Sequence, residues 1–228
     1  MRQVITFPKL WLAFVVVLFV SMCVPPGMDP EEKDRAEQAR LDSLRELRCP
    51  RLMSSAAEYY RNQDWENTVQ IYREIDELGC DEFDPVLAPP EEIYLYYAIA
   101  HEYLGRFEKS EEVLLKGLQT LPGNIDLRKR LAYSYKKQEK LDRYFIELEK
   151  IMDMAPEDSQ NMIELFKLYG ENNRYEDQID VLRLLLEKDP NNEIYQGEMK
   201  IALEKVGEDP LEYIRELFER NPENTAYG

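Results

Sequence analysis

The sequence predicts an all-α fold: an α-solenoid of about five helical hairpins, preceded by a signal or anchor segment and a charged spacer helix. Three prolines carry that prediction, because Pro122, Pro156 and Pro190 stand 34 residues apart. Each closes a stretch built in the same order. An apolar, Tyr-containing helix leads to a polar turn near Gly105, Glu139 or Asn173, then to a second apolar helix and a proline turn. A fixed period of that length describes stacked helix pairs, each burying its apolar face only against its neighbours. Composition agrees: with 33% charged residues and only 9 Gly, polar helix formers dominate.

The N-terminal residues form a separate element, 1–27. Arg2 and Lys9 precede an uninterrupted apolar run over 10–20, and Pro25, Pro26 and Gly27 break the chain soon after. A positive start, a short apolar stretch and a breaker-rich exit describe an export signal. The run is short for a bilayer span, which takes about 20 apolar residues. Val4, Ile5 and Phe7 would extend it into an uncleaved anchor. The stretch Val20-Ser21-Met22-Cys23 resembles a bacterial lipobox with Cys23 lipidated, although Met22 replaces the small residue expected before that cysteine. Cleaved signal, retained anchor and lipoprotein all remain open, and each places the chain in the cell envelope or periplasm.

Residues 28–48 are mostly charged, and Asp29-Pro30-Glu31-Glu32 supplies a helix start: a capping Asp, Pro at the first position, acids in the first turn. Ala36, Leu41, Leu44 and Leu47 give only a thin apolar stripe, so this reads as a spacer or capping helix. The first hairpin spans 49–81, with helices around 52–61 and 66–78 split at Gln63-Asp64. Cys49 opens it and Cys80 closes it. In an antiparallel hairpin these ends lie side by side, within reach of a disulfide, and an oxidising compartment would let the bond form. Two separate buried thiols are the alternative.

Residues 82–90 follow as a linker whose three prolines and two large apolar residues suggest an ordered strap. The remaining hairpins are 91–124, 125–158, 159–192 and a shortened 193–224 closing at Pro222. Residues 225–228 read as the start of a further repeat or a truncated end.

Charge and motif content exclude several functions. A formal charge of −17 argues against nucleic acid, which needs a basic footprint. The chain holds a single histidine, His101. No nucleophile pattern, phosphate-binding Gly-rich loop or His/Cys metal cluster is present in the sequence. Neither a cofactor nor an enzymatic activity is expected.

The hairpins resemble tetratricopeptide repeats, whose pattern is W-x2-L-G-x2-Y, then A-x3-F, then P. The matching residues are Leu52, Ala56, Tyr59, Thr68 and Tyr72 in the first, and Tyr94, Ala98, His101, Ser110, Leu114 and Pro122 in the second. The third supplies Leu131, Ala132, Tyr135, Leu148 and Pro156; the fourth supplies Met162, Leu165, Tyr169, Leu182 and Pro190. Tyr144, Gln178, Phe166 and Lys200 depart from the pattern by standing where it has small residues, which implies hairpins splayed more widely than the family norm.

The resemblance implies a right-handed solenoid and a protein or peptide partner held in a concave groove lined by the first helix of each hairpin. By family spacing the binding residues would be Tyr60, Arg61, Tyr103, Lys129, Tyr133, Lys136, Lys137 and Lys167, with apolar neighbours such as Leu95, Ile99, Ile163, Ile194 and Ile201. Arg128, Lys129, Arg130, Lys136, Lys137 and Lys140 make a basic island in an acidic chain, which suggests a partner carrying acidic groups and an apolar anchor. The asparagines with which chaperone-binding members grip a carboxylate have no match here. The reading is an exported interaction scaffold, attached to the membrane by its N-terminus. Its rivals are the regulatory arm of a longer enzyme and an outer-membrane assembly lipoprotein.

Overall fold

The computed structural model describes residues 29–213 and residue 215. The segment 1–27 with Cys23, and the close of the fifth hairpin at Pro222, lie outside the described residues. Ten helices follow in order: α1 (Pro30–Arg61), α2 (Trp65–Leu78), α3 (Cys80–Phe83), α4 (Pro90–Tyr103), α5 (Phe107–Thr120), α6 (Ile125–Lys137), α7 (Leu141–Met154), α8 (Ser159–Glu171), α9 (Tyr175–Lys188) and α10 (Glu193–Val206). Residues 210–213 are also helical, and no strand occurs among the described residues.

Two compact units divide after Arg51. In the first, the described residues are the polar stretch of α1, where Asp29 caps the helix by accepting from the Glu32 amide (2.8 Å). Leu44 and Leu47 are exposed. The expected spacer and the first helix of the first hairpin fall in the single helix α1, with Pro50 inside it. Lacking an N–H, proline interrupts the helical ladder.

In the second unit the 34-residue period is written in turn chemistry. Two residues after each proline stands a side-chain cap: Asn124 accepts from the Leu127 amide (2.9 Å), Asp158 from Asn161 (3.2 Å) and Asn192 from Tyr195 (3.2 Å). Each satisfies an amide left free in the first helical turn, worth about 1 kcal/mol. Between the two helices of a hairpin the chain reverses through a left-handed residue, at Gln63, Gly105, Glu139, Asn173 and Gly207. The last four are again 34 apart, so α10 ends in register with the helices before it.

Packing follows the same register. Leu114, Leu127, Leu131, Leu148, Leu165, Leu182 and Met199 run through one continuous core. Gly117 lets α5 approach closely, because a Cβ there would lie 2.8 Å from Tyr94 of α4 and 3.1 Å from Leu127 of α6. The large residues that depart from the family pattern are accommodated rather than expelled. Gln178 is buried because Gly170 concedes the space: a Cβ on Gly170 would sit 2.7 Å from the Gln178 amide nitrogen. Phe166 is buried edge-on to Tyr195 (5.8 Å), and the buried Tyr144 donates its hydroxyl to Glu164 (3.0 Å). Lys200 is exposed.

The strap makes local contacts of its own. Asp84 accepts from the Val86 and Leu87 amides (3.2 and 3.1 Å), and Ala88 is fully buried. Val86 projects into solvent.

Candidate binding face

The first helices α4, α6 and α8, with the end of α1, position most of the residues expected to bind a partner. At the N-terminal end of this face four aromatic rings meet. Tyr60 lies edge-on to Trp65 (5.4 Å between centroids) and to Tyr96 (4.9 Å). Trp65 stacks nearly parallel on Tyr103 at 4.1 Å. Tyr96 and Tyr103 are seven residues apart on α4 and so share a face, while Trp65 is delivered by the first turn of α2. Tyr103 is 64% exposed even though its ring is stacked, which leaves one face of the ring open to solvent. Burial, and then the neighbouring Tyr96 and Tyr103, push the Tyr60 hydroxyl above its usual range, so it stays protonated and uncharged. Arg106 brackets this corner by a two-pronged pair with Glu66 (2.6 and 3.1 Å).

The basic island of the third hairpin is different in kind from what its sequence suggests. Lys129 pairs with Asp158 (2.6 Å), Lys136 with Glu164 (3.0 Å), Lys140 with Glu111 (2.6 Å) and Arg128 with Glu147 (2.7 Å). Arg130 pairs with Glu102, which also accepts from the Ser110 hydroxyl (2.8 Å). Of the six cations only Lys137 is outside these pairs, and it lies over the Tyr133 ring (5.4 Å). Three of the pairs (Arg130–Glu102, Lys136–Glu164 and Lys140–Glu111) run between hairpins, and Lys129 reaches the Asp158 that caps α8, so much of the positive charge helps dock one repeat against the next. Lys129 holds the Asp158 carboxyl below its usual range, and the hydrogen bond to Glu164 raises Lys136, as paired charges should. Lys129 and Lys136, expected to bind a partner, each hold a carboxylate of this chain and remain about half exposed.

The other expected residues divide. Tyr133 is partly exposed between Arg130 (4.9 Å) and Lys137. Arg61 is exposed and donates to the Ala57 carbonyl (3.2 Å), back along its own helix. Lys167 stands far from the aromatic corner in sequence and helps line a cleft of about 350 Å³ with Phe166, Gly170, Glu171, Gln178 and Glu198. Trp65 and Tyr96 were not among the expected binding residues. The seven-residue step from Tyr96 to Tyr103 was the available signal for one. Trp65 belongs to a second helix, which the family's groove pattern does not include.

His101 is buried, packed on Tyr97 (4.9 Å), with Nδ1 lacking a hydrogen-bond partner among the described residues. Burial, together with Arg106, Arg73 and Lys109, lowers its pKa to about 4. Cys49 and Cys80 are both disulfide-bonded and fully buried.

Comparison with known proteins places this geometry. Residues 91–134 match the family described as tetratricopeptide repeat. MamA AMB-1 superposes with a TM-score of 0.53 at 18% identity, over 71% of this chain and 84% of that one. Another crystal structure of MamA protein gives 0.51 at 12% identity, over 76% and 92%. The structure of Naa15/Naa10 bound to HypK-THB gives 0.55 at 14% identity, over 78% of this chain but 25% of that one. At such identities the likeness is one of fold. No curated protein matches the sequence. The motif residues, the 34-residue register and the matched stretch agree: residues 91–134 form a tetratricopeptide repeat, and the described hairpins share the fold of the tetratricopeptide-type solenoids they superpose on.

Proposed function

We propose that this protein is an interaction scaffold exposed outside the cytoplasmic membrane, holding a segment of a protein partner on the face built by its first helices. The observation that carries this reading is the aromatic corner in which half-buried Tyr60, Trp65 and Tyr96 back the exposed Tyr103. Large rings with little conformational freedom gain much from losing water at an interface, and aromatic residues are enriched where binding energy concentrates. A solenoid already ordered by its own core spends little entropy in presenting such a face. The Naa15/Naa10 structure, solved bound to HypK-THB, is an assembly in which a chain of like fold meets a partner.

Export rests on the sequence: Arg2, Lys9 and the apolar run 10–20 direct the chain to the envelope, with Cys23 as the lipidation point if the segment is processed as a lipoprotein. The disulfide-bonded state of Cys49 and Cys80 suits an oxidising compartment. An acidic partner loses its support, because the cations that would receive it are paired within the chain.

Crosslinking mass spectrometry on the membrane-extracted, full-length protein tests the reading. It predicts partner adducts on α4 and α6. Adducts confined to the second helices α5, α7 and α9 would contradict it. The mass of the mature N-terminus distinguishes an intact segment, a cleaved one and a diacylglyceryl-cysteine at Cys23.

A further inference from the structure

We infer that the aromatic corner is a receptor for positively charged side chains, so that the segment it holds is rich in arginine or lysine. This rests on the scaffold reading above and specifies its partner's chemistry. The negative face of an aromatic ring attracts a cation within about 6 Å of its centroid. Elsewhere this chain satisfies that attraction itself. Arg130 and Lys137 lie over Tyr133, Lys136 over Tyr144, and Arg174 over both Phe145 and Tyr169 (4.7 to 5.4 Å). Among the described residues no cation lies over Tyr60, Trp65, Tyr96 or Tyr103, whose ring contacts are with one another.

The surrounding charges leave room for one. Arg106 is matched by Glu66, and Arg130, whose field reaches Tyr60, is matched by Glu102. Glu92, one turn before Tyr96 on α4, is exposed. The formal charge of −17 attracts a cationic segment and repels an anionic one at long range. An arginine side chain stacking on the open face of Tyr103 would continue the Trp65–Tyr103 pile, since a guanidinium is planar and weakly hydrated.

The test uses the full-length chain carrying Trp11→Phe, which leaves Trp65 as its one tryptophan and fluorescent reporter. Three nine-residue peptides of identical Gly/Ser background, bearing three Arg, three Lys or three Glu, are titrated at low and high salt. The expected result is a saturable change in Trp65 emission with the Arg peptide, weaker with Lys and absent with Glu, and an affinity that falls as salt rises. Tyr103→Leu should weaken the Arg peptide roughly tenfold at an unchanged melting temperature. The proposal is overturned if the Glu peptide binds as tightly, if no Arg peptide binds, or if Tyr103→Leu leaves its affinity intact. A native partner crosslinked to α4 through an acidic segment would remove the charge preference and leave the scaffold. Absence of any partner from α4 and α6 would remove both.

Discussion

The second hairpin meets the first through a cluster of aromatic rings beside the Arg106–Glu66 and Lys116–Asp76 pairs, whereas around α6 the third meets its neighbours through ion pairs without such a cluster. At Tyr60, Trp65, Tyr96 and Tyr103 the contacts are between rings, and they leave ring surface facing solvent. Around α6 the contacts are Glu102–Arg130, Lys129–Asp158 and Lys136–Glu164, and they leave little free charge. Both regions are built largely by first helices of their hairpins. The difference shows that a repeat's exposed chemistry cannot be read from residue type alone. It depends on whether the next hairpin supplies the complement. Where the complement is present the side chain is structural, and where it is missing the side chain remains available to a partner.

Breaking the ionic side gives the largest expected effect. Arg128 and Glu147 are both mostly buried, so Glu147→Ala strands a guanidinium and should cost about 3 kcal/mol in urea denaturation. On the aromatic side, His101 offers an effect of similar size that depends on pH. Its folded pKa of about 4 lies below the ordinary histidine value of 6.5, so the neutral ring's contribution is complete above pH 6.5 and is lost as pH falls towards 4. The stability difference between wild type and His101→Phe should therefore shrink over that window by an amount on the order of 3 kcal/mol, a size set by the shift. Gly117→Ala sharpens the comparison by forcing α5 off Tyr94 without touching a charge. Overpacking there should cost about 2 kcal/mol in the same assay. Lys136→Met is the mildest. Its pair with Glu164 is half exposed, so thermal denaturation should register less than about 1 kcal/mol.

Local chemistry was legible in the sequence, and the pairing of distant charges was not. Asn124, Asp158 and Asn192 act within three residues of themselves, so the prolines and hairpin ends that they mark are legible from spacing. The reversals at Gln63, Gly105, Glu139 and Asn173 were placed for the same reason. Lys129 and Lys136 look like a binding patch because Lys137 and Arg130 stand beside them in the chain. Their partners, Asp158 and Glu164, come nearly a full repeat later, and sequence order does not say which carboxylate a long side chain will reach. Gln178 misled in a related way: its bulk was visible, but the glycine that accommodates it, Gly170, belongs to the other helix of the hairpin. The aromatic corner was half seen, through Tyr60 and Tyr103.

The central claim is that partner contact belongs to the open rings and not to the lysine row. Placing a photo-crosslinking benzoylphenylalanine at position 103 in one full-length chain and at position 129 in another, each in its native membrane extract, tests it most directly. The account predicts a partner adduct from position 103 and none from position 129. Adducts from position 129 with none from position 103 would contradict it.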